Sequence, residues 1–102
     1  MSGFVKVMTA LELPPPGEAR EAVCAGRVIC IANSNGEIAA MDNVCPHRGG
    51  PLGQGIIEDG KLICPWHAWA FDVKTGVAVH SPGVKVDVFE IKVDGDDVLV
   101  KL

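Results

Sequence analysis

Apolar and polar residues alternate along this chain in short runs, and the longest apolar runs are about five residues, as at residues 28–32. Alternation with a period of two places one set of side chains on one face of a strand. The pattern therefore predicts β-structure almost throughout. Residues 4–8 read as a short strand, and residues 21–24 and 27–32 as two strands around a turn at Ala25-Gly26. "NSNGE" is a hairpin loop with Asn-Gly at its tip, and residues 38–41 form the return strand. Residues 61–64 and 69–73 flank a cysteine-containing loop, and "KTG" at 74–76 is a further turn. Residues 84–89 alternate, and 91–93 with 98–102 close a hairpin over "DGDD". "LPPPGEAR" from Leu13 is an irregular connector, since three prolines exclude helix and remove ladder donors. Only residues 8–13 could form a helical turn. Short strands at regular spacing with Gly-rich turns predict an all-β sandwich or small barrel.

Composition narrows this picture. With 102 residues the chain is expected to be one domain, 1–102. It is 48% apolar but has three Phe, two Trp and no Tyr, so its core must come mainly from Val, Ile and Ala. No run approaches the roughly 20 apolar residues of a membrane helix. The N-terminus shows no basic region followed by an apolar stretch. A soluble, cytoplasmic protein with no membrane partner is expected. The net charge of −4, with acids and bases mixed, argues against nucleic acid as a partner.

The four cysteines change the reading most. Two of them open Cys45-Pro-His47 and Cys64-Pro-Trp-His67, nineteen residues apart. In a chain without an export signal, such pairs read more readily as metal ligands than as disulfides. The constellation is Cys45-x-His47, sixteen residues, then Cys64-x-x-His67. Each pair follows a strand, so two loop tips could hold a metal centre between them. Zinc accepts two Cys and two His, but its usual knuckle is Cys-x(2–4)-Cys. Here each knuckle is mixed, thiolate first and imidazole second. That favours a [2Fe–2S] centre with two Cys on one iron and two His on the other. Gly49, Gly50, Gly53 and Gly55 follow the first pair. Glycine lets a backbone approach a bulky inorganic core and aim N–H groups at its sulfides, although ordinary turn chemistry would also explain each one. Pro46 and Pro65 stiffen the knuckles and donate nothing.

"CPHRGGPL" and "CPWHAWAFDVKTG" resemble the two cluster-binding boxes of Rieske-type ferredoxins. The specific resemblance covers about residues 38–79, and the cluster-binding part is about 42–80. It implies three antiparallel sheets with a two-loop tip that carries one [2Fe–2S] cluster per chain. It also implies that Cys45 and Cys64 ligate one iron and His47 and His67 the other. Gly49, Gly50, Pro65, Trp66 and Trp69 would surround the ligands. Respiratory Rieske proteins carry an extra, disulfide-forming cysteine in each box, and the matching positions here are Gly50 and Trp66. They also place Ser and Tyr hydroxyls near the cluster, where this chain has Trp69 and Phe71. Both departures fit the soluble ferredoxin branch.

The resemblance implies a soluble one-electron carrier rather than an enzyme. Its partners would be a flavin reductase and a terminal oxygenase such as an aromatic-ring dioxygenase. Alternatively the chain would be the small subunit of an NAD(P)H nitrite reductase, partnered by the large subunit. From another class, a zinc-stabilised binding module without redox activity would be colourless, whereas an iron–sulfur protein is brown. A catalytic oxygenase component would need a mononuclear iron site and a further large domain. Of the remaining residues, Cys24 and Cys30 are expected as buried small apolar side chains, and His80 as a surface residue. Trp66 and Trp69 are expected as an apolar wall limiting water, with Trp66 also open to a partner. Arg48 reads equally as a solvated charge or a docking residue, and "DGDD" as a turn too short to hold calcium.

Overall fold

Strand β3 (Arg27–Ser34) has five consecutive buried residues, from Ile29 to Asn33. Apolar residues on both of its faces bury it between two cores, and this is why its sequence is a continuous run and not an alternation. Ile29 and Ile31 face one core, with Met8, Ala40, Val98 and Val100. Cys30 and Ala32 face the other, with Leu52, Leu62, Phe71 and both Cys45 and Cys64. The computed structural model describes residues 3–46, 49–66 and 68–102.

Around β3 lie β1 (Val5–Thr9), β2 (Ala19–Cys24), β4 (Glu37–Asp42), β8 (Val88–Asp94) and β9 (Asp97–Lys101). They form an antiparallel six-stranded sheet in the order β1-β9-β8-β4-β3-β2. β5 (Ile56–Glu58), β6 (Lys61–Ile63) and β7 (Ala70–Asp72) form a second, three-stranded sheet. The expected all-β class and Rieske-like fold hold. The expected three sheets are connected differently: β8 pairs with β9 through Glu90–Asp94 and with β4 through Phe89–Ala40 and Val88–Met41, which joins two of them into one six-stranded sheet.

Local chemistry explains the hairpins. Ala25-Gly26, Asn35-Gly36 and Asp59-Gly60 all have positive φ at both positions, 52° and 81°, 54° and 94°, 50° and 74°. Two consecutive left-handed residues match the twist of the flanking strands. The helical turn expected within residues 8–13 is the 3₁₀ turn Ala10–Glu12, but it does not stand alone as expected: a second 3₁₀ turn covers Leu52–Gln54. Residues 84–87 are not in a strand, although they alternate. Their hydrogen bonds are divided between partners: Val84 and Val86 reach the chain around Gly76 and Ala78, while Asp87 O accepts from Asp42 N–H at 2.9 Å. Strands β6 and β7 fall within the expected 61–64 and 69–73, and β5, with the turn that joins it to β6, is what the hydrophobic pattern missed. Its signal was the Asp59-Gly60 dipeptide between Ile-Ile-Glu and Lys-Leu-Ile. The small sheet is tied to the larger one by the Glu18–Ile56 bridge and by Ile57 N–H donating to Gly17 O at 2.9 Å.

Candidate metal centre

Cys45 leaves the end of β4 and Cys64 the end of β6, so both sit at one end of their sheets. The two loops they open are the same turn. In the first, Cys45 N–H donates to Gly50 O at 2.9 Å, and Gly49 N–H donates to Cys45 O at 2.7 Å. In the second, Cys64 N–H donates to Trp69 O at 2.8 Å, and Ala68 N–H donates to Cys64 O at 3.0 Å. Each turn has a left-handed residue four places after its cysteine, Gly49 at φ 78° and Ala68 at φ 57°. Gly49 adopts this conformation freely, whereas Ala68 bears a cost of about 1 kcal/mol in the same place. Each has proline directly after the cysteine, which suits a tight turn because its φ is fixed and its missing N–H is not needed.

The thiols are dry. Cys45 is 1% exposed and Cys64 2%, within one apolar cluster that also holds Leu52, Leu62, Phe71 and, partly buried, Trp69. Gly50 brings the loops together. A Cβ built at this position would lie 2.9 Å from Cys64 Sγ and 3.1 Å from Trp66 Cγ. The first loop's backbone thus lies directly against the second loop's sulfur, with room for no side chain. Two buried thiols on matching turns, one of them reached by a glycine cradle, are a donor set that fits an iron–sulfur cluster bridging two loops. His47, His67 and Arg48 lie outside the described residues.

The four glycines of the first loop have separate jobs. Gly49's N–H closes its turn and Gly50 clears the sulfur. A Cβ on Gly53 would collide with Glu21 Cγ, and one on Gly55 with the Ile63 carbonyl. Gly53 and Gly55 therefore let protein pack on protein rather than reach the cluster, and Gly55's N–H is taken up by Leu52 O at 3.0 Å. The tryptophans also differ. Trp69 packs on the core with its ring 6.3 Å from that of Phe71, while Trp66 is 57% exposed above Gly50, beside exposed Pro65.

Cys24 and Cys30 sit buried in β2 and β3, and no disulfide joins any of the four cysteines. Burial raises the Cys24 thiol above its ordinary range, and burial with the nearby Glu21 carboxylate pushes Cys30 up to about 12. Both stay protonated and act as small apolar packers, as expected. His80 is exposed, at the rim of a hollow of about 250 Å³ lined by Ala68, Trp69, Ala70 and Ala78. Residues 94–97 form the β8–β9 turn. Sequence reasoning overlooked Asn43. It is 6% exposed, and its amide holds Glu21 and Gly53. The one available signal was an Asn placed between a strand and a ligand loop.

The Rieske [2Fe–2S] domain family profile matches residues 3–98. The chain belongs to the Rieske family. It is 30% identical to the ferredoxin component of the naphthalene 1,2-dioxygenase system of Pseudomonas aeruginosa, over 86% of each chain. It is 33% identical to human apoptosis-inducing factor 3 over 83% of its own length, but spans only about 14% of that protein. Among solved structures, the ferredoxin of carbazole 1,9a-dioxygenase from Nocardioides aromaticivorans has a TM-score of 0.86 at 29% identity, covering 98% of each chain. A chain in the complex of reduced oxygenase and oxidised ferredoxin of carbazole 1,9a-dioxygenase gives 0.84 at 28%, covering 99% of this chain and 94% of that one. A Mycobacterium tuberculosis protein described as an NADH-dependent nitrite reductase small subunit gives 0.86 at 22%, covering 95% and 92%, which shows a shared fold alone. A Rieske domain carries one [2Fe–2S] cluster. Among the described residues no helix is long and apolar enough to cross a membrane.

Proposed function

We propose that this Rieske domain is a one-electron carrier of the ferredoxin type, cytoplasmic, and not catalytic on its own. The observation that carries this is the pair of matching cysteine turns meeting at Gly50, in a chain alike along its length to a ferredoxin component of a dioxygenase system. Cys45 and Cys64 would hold one iron and His47 and His67 the other, within about residues 42–80 of a single domain, 1–102. When bound, the cluster supplies one-electron redox chemistry and nothing further. The protein's own part is to hold the sulfurs in a dry site, fix both loops with internal hydrogen bonds and keep one edge of the site near the surface.

A flavin reductase as donor and a terminal oxygenase as acceptor fit this reading best. It draws support from the complex between a ferredoxin and its oxygenase in the carbazole 1,9a-dioxygenase system. The nitrite reductase setting rests on likeness of fold alone and ranks second.

The test is direct. Purified protein should be brown, with iron and acid-labile sulfide and a Rieske-type signal when reduced. Cys45→Ser and Cys64→Ser should each abolish the visible bands and much of the folded signal, because ligands drawn from separate loops link folding to metal binding. A Cys45→Ser protein with the parent spectrum would refute the ligand assignment. A colourless parent that holds zinc would replace the redox reading with the non-redox binding module.

A further inference from the structure

We infer that Asn43, braced by Glu21, is a positioning residue that locks the first cluster loop onto the six-stranded sheet. The inference rests on the reading that the Cys45 loop holds the cluster. Asn43 leads out of β4 two residues before Cys45 and is almost wholly buried. Every polar group of this residue that the structure pairs is spent on the loop or its anchor. Its Oδ1 accepts from Gly53 N–H at 2.7 Å, its backbone carbonyl accepts from Leu52 N–H at 2.8 Å, and its Nδ2 donates to Glu21 Oε2 at 2.6 Å. The other Glu21 oxygen accepts from Gln54 Nε2 at 3.2 Å.

These bonds close the loop at its base. Residues 43 and 44 enter the loop, residues 51 to 54 leave it, and Asn43 joins both limbs to Glu21 on β2, two strands away from β4 in the sheet. Gly53 has no side chain because its Cα is pressed between Glu21 and the Asn43 amide. The geometry is polarised. Asn43 must accept on one side and donate on the other, and only an amide does both at this size. A carboxylate at residue 43 could still accept from Gly53, but it lacks the amide N–H that Glu21 accepts from, so two acceptors would oppose each other across that contact. The loop base would then open, releasing Gly50 from Cys64 Sγ and letting water reach the sulfurs.

The experiment follows the visible absorbance of purified holoprotein in excess ferrous-iron chelator at 25 °C, with far-UV circular dichroism in parallel. Asn43→Asp should lose its cluster about tenfold faster than the parent, on the order of one charge-assisted hydrogen bond. Asn43→Asp combined with Glu21→Gln reverses the direction of the bond, since the amide introduced on β2 can donate to the carboxylate introduced at the loop base. The pair should return the rate to within about twofold of the parent. Val98→Ala, a core truncation in β9 remote from the loop, should lower thermal stability while leaving the rate near that of the parent. A parental rate in Asn43→Asp would overturn the inference. So would failure of the exchange to restore it, or equally fast loss in Val98→Ala. If Asn43→Asp does not fold, Glu21→Ala takes its place. That variant removes the brace from an exposed position and should still accelerate loss several-fold, and a parental rate there also overturns the inference. Cys45→Ser separates the two readings. If it keeps the cluster, the ligand assignment has failed. If it loses the cluster while the Asn43 variants keep it, only the clamp has failed.

Discussion

Adding one methyl group at residue 50 probes the place where the two loops meet. The Cβ of Gly50→Ala would stand 2.9 Å from Cys64 Sγ, 3.1 Å from Trp66 Cγ and 3.2 Å from Trp66 Cδ2. Carbon contacts rest near 3.5–4.0 Å, roughly, so each must open by several tenths of an ångström. Residue 50 does not have positive φ, so the backbone tolerates alanine, and the loss of glycine's freedom in the unfolded chain would stabilise by about 0.4–1 kcal/mol. Crowding opposes this with about 1–3 kcal/mol. Crowding should win by about 1–2 kcal/mol, because the two neighbours yield unequally. Trp66 is 57% exposed and can swing outward, whereas Cys64 is 2% exposed and wedged in the core. For a chain near 100 residues that net cost lowers the melting temperature by roughly 5–10 °C. Thermal unfolding of the holoprotein and the rate of chelator-driven bleaching should both register it. Adding Trp66→Ala should relieve only the indole half of the crowding. A Gly50→Ala protein that melts within about 2 °C of the parent and bleaches at the parental rate would refute the close approach at Gly50. Full rescue by Trp66→Ala would show that the sulfur is not the limiting contact.

Cys24→Ala and Cys30→Ala should leave the visible spectrum unchanged and cost about 1 kcal/mol or less for the lost sulfur volume, read by thermal unfolding. A bleached Cys24→Ala protein would mean that the wrong thiols had been assigned. Because Cys30 is held neutral up to about 12 while an unfolded thiol ionises near pH 8.5, its contribution is complete below that lower value and declines as pH rises towards 12. Cys30→Ala should therefore flatten the alkaline loss of stability. Trp69 and Phe71 offer no hydroxyl to the cluster sulfurs, which predicts a reduction potential near or below about −100 mV within the roughly −150 to +300 mV span of Rieske centres. Trp69→Ser with Phe71→Tyr should raise it, and protein-film voltammetry giving a parental value above about +100 mV would defeat the argument.

Much of this was legible because local chemistry and tertiary structure agree. Asn35-Gly36 encodes its turn by itself, and the apolar run at residues 28–32 encodes a strand, whose cover on both faces from Ile29 to Asn33 came to light only with the fold. Cys45 and Cys64, which the fold gathers into one buried cluster, stood out because few chemistries place thiol, proline and imidazole so close together twice. Three further features were not legible, each for a physical reason. Residues 84–87 alternate like a strand, but alternation says nothing about whether one continuous partner is available. Gly53 and Gly55 look like Gly49 and Gly50 on paper, and only the fold shows which meets a sulfur and which meets protein. Asn43 carries no pattern at all, since its importance lies in Glu21, twenty-two residues away in sequence.

The likeness of the two turns bears on how the centre works. Both loops close through the same pair of backbone hydrogen bonds, yet their histidines follow the cysteines at different spacings, two residues in one and three in the other. The extra residue is Trp66, and Gly50 is the residue that makes room for it. The same pair of closing hydrogen bonds therefore serves both a Cys-x-His and a Cys-x-x-His spacing. Among the described residues each loop closes through its own pair of backbone hydrogen bonds, and the first is further tied to the sheet through Asn43. These bonds fix the backbone at the base of each turn. A site fixed in this way is suited to changing its charge with little change of shape, which favours electron transfer. The strain at Ala68 fits this view. A left-handed alanine persists only where its surroundings over-determine it, and it lies in the loop whose cysteine the Gly50 backbone touches.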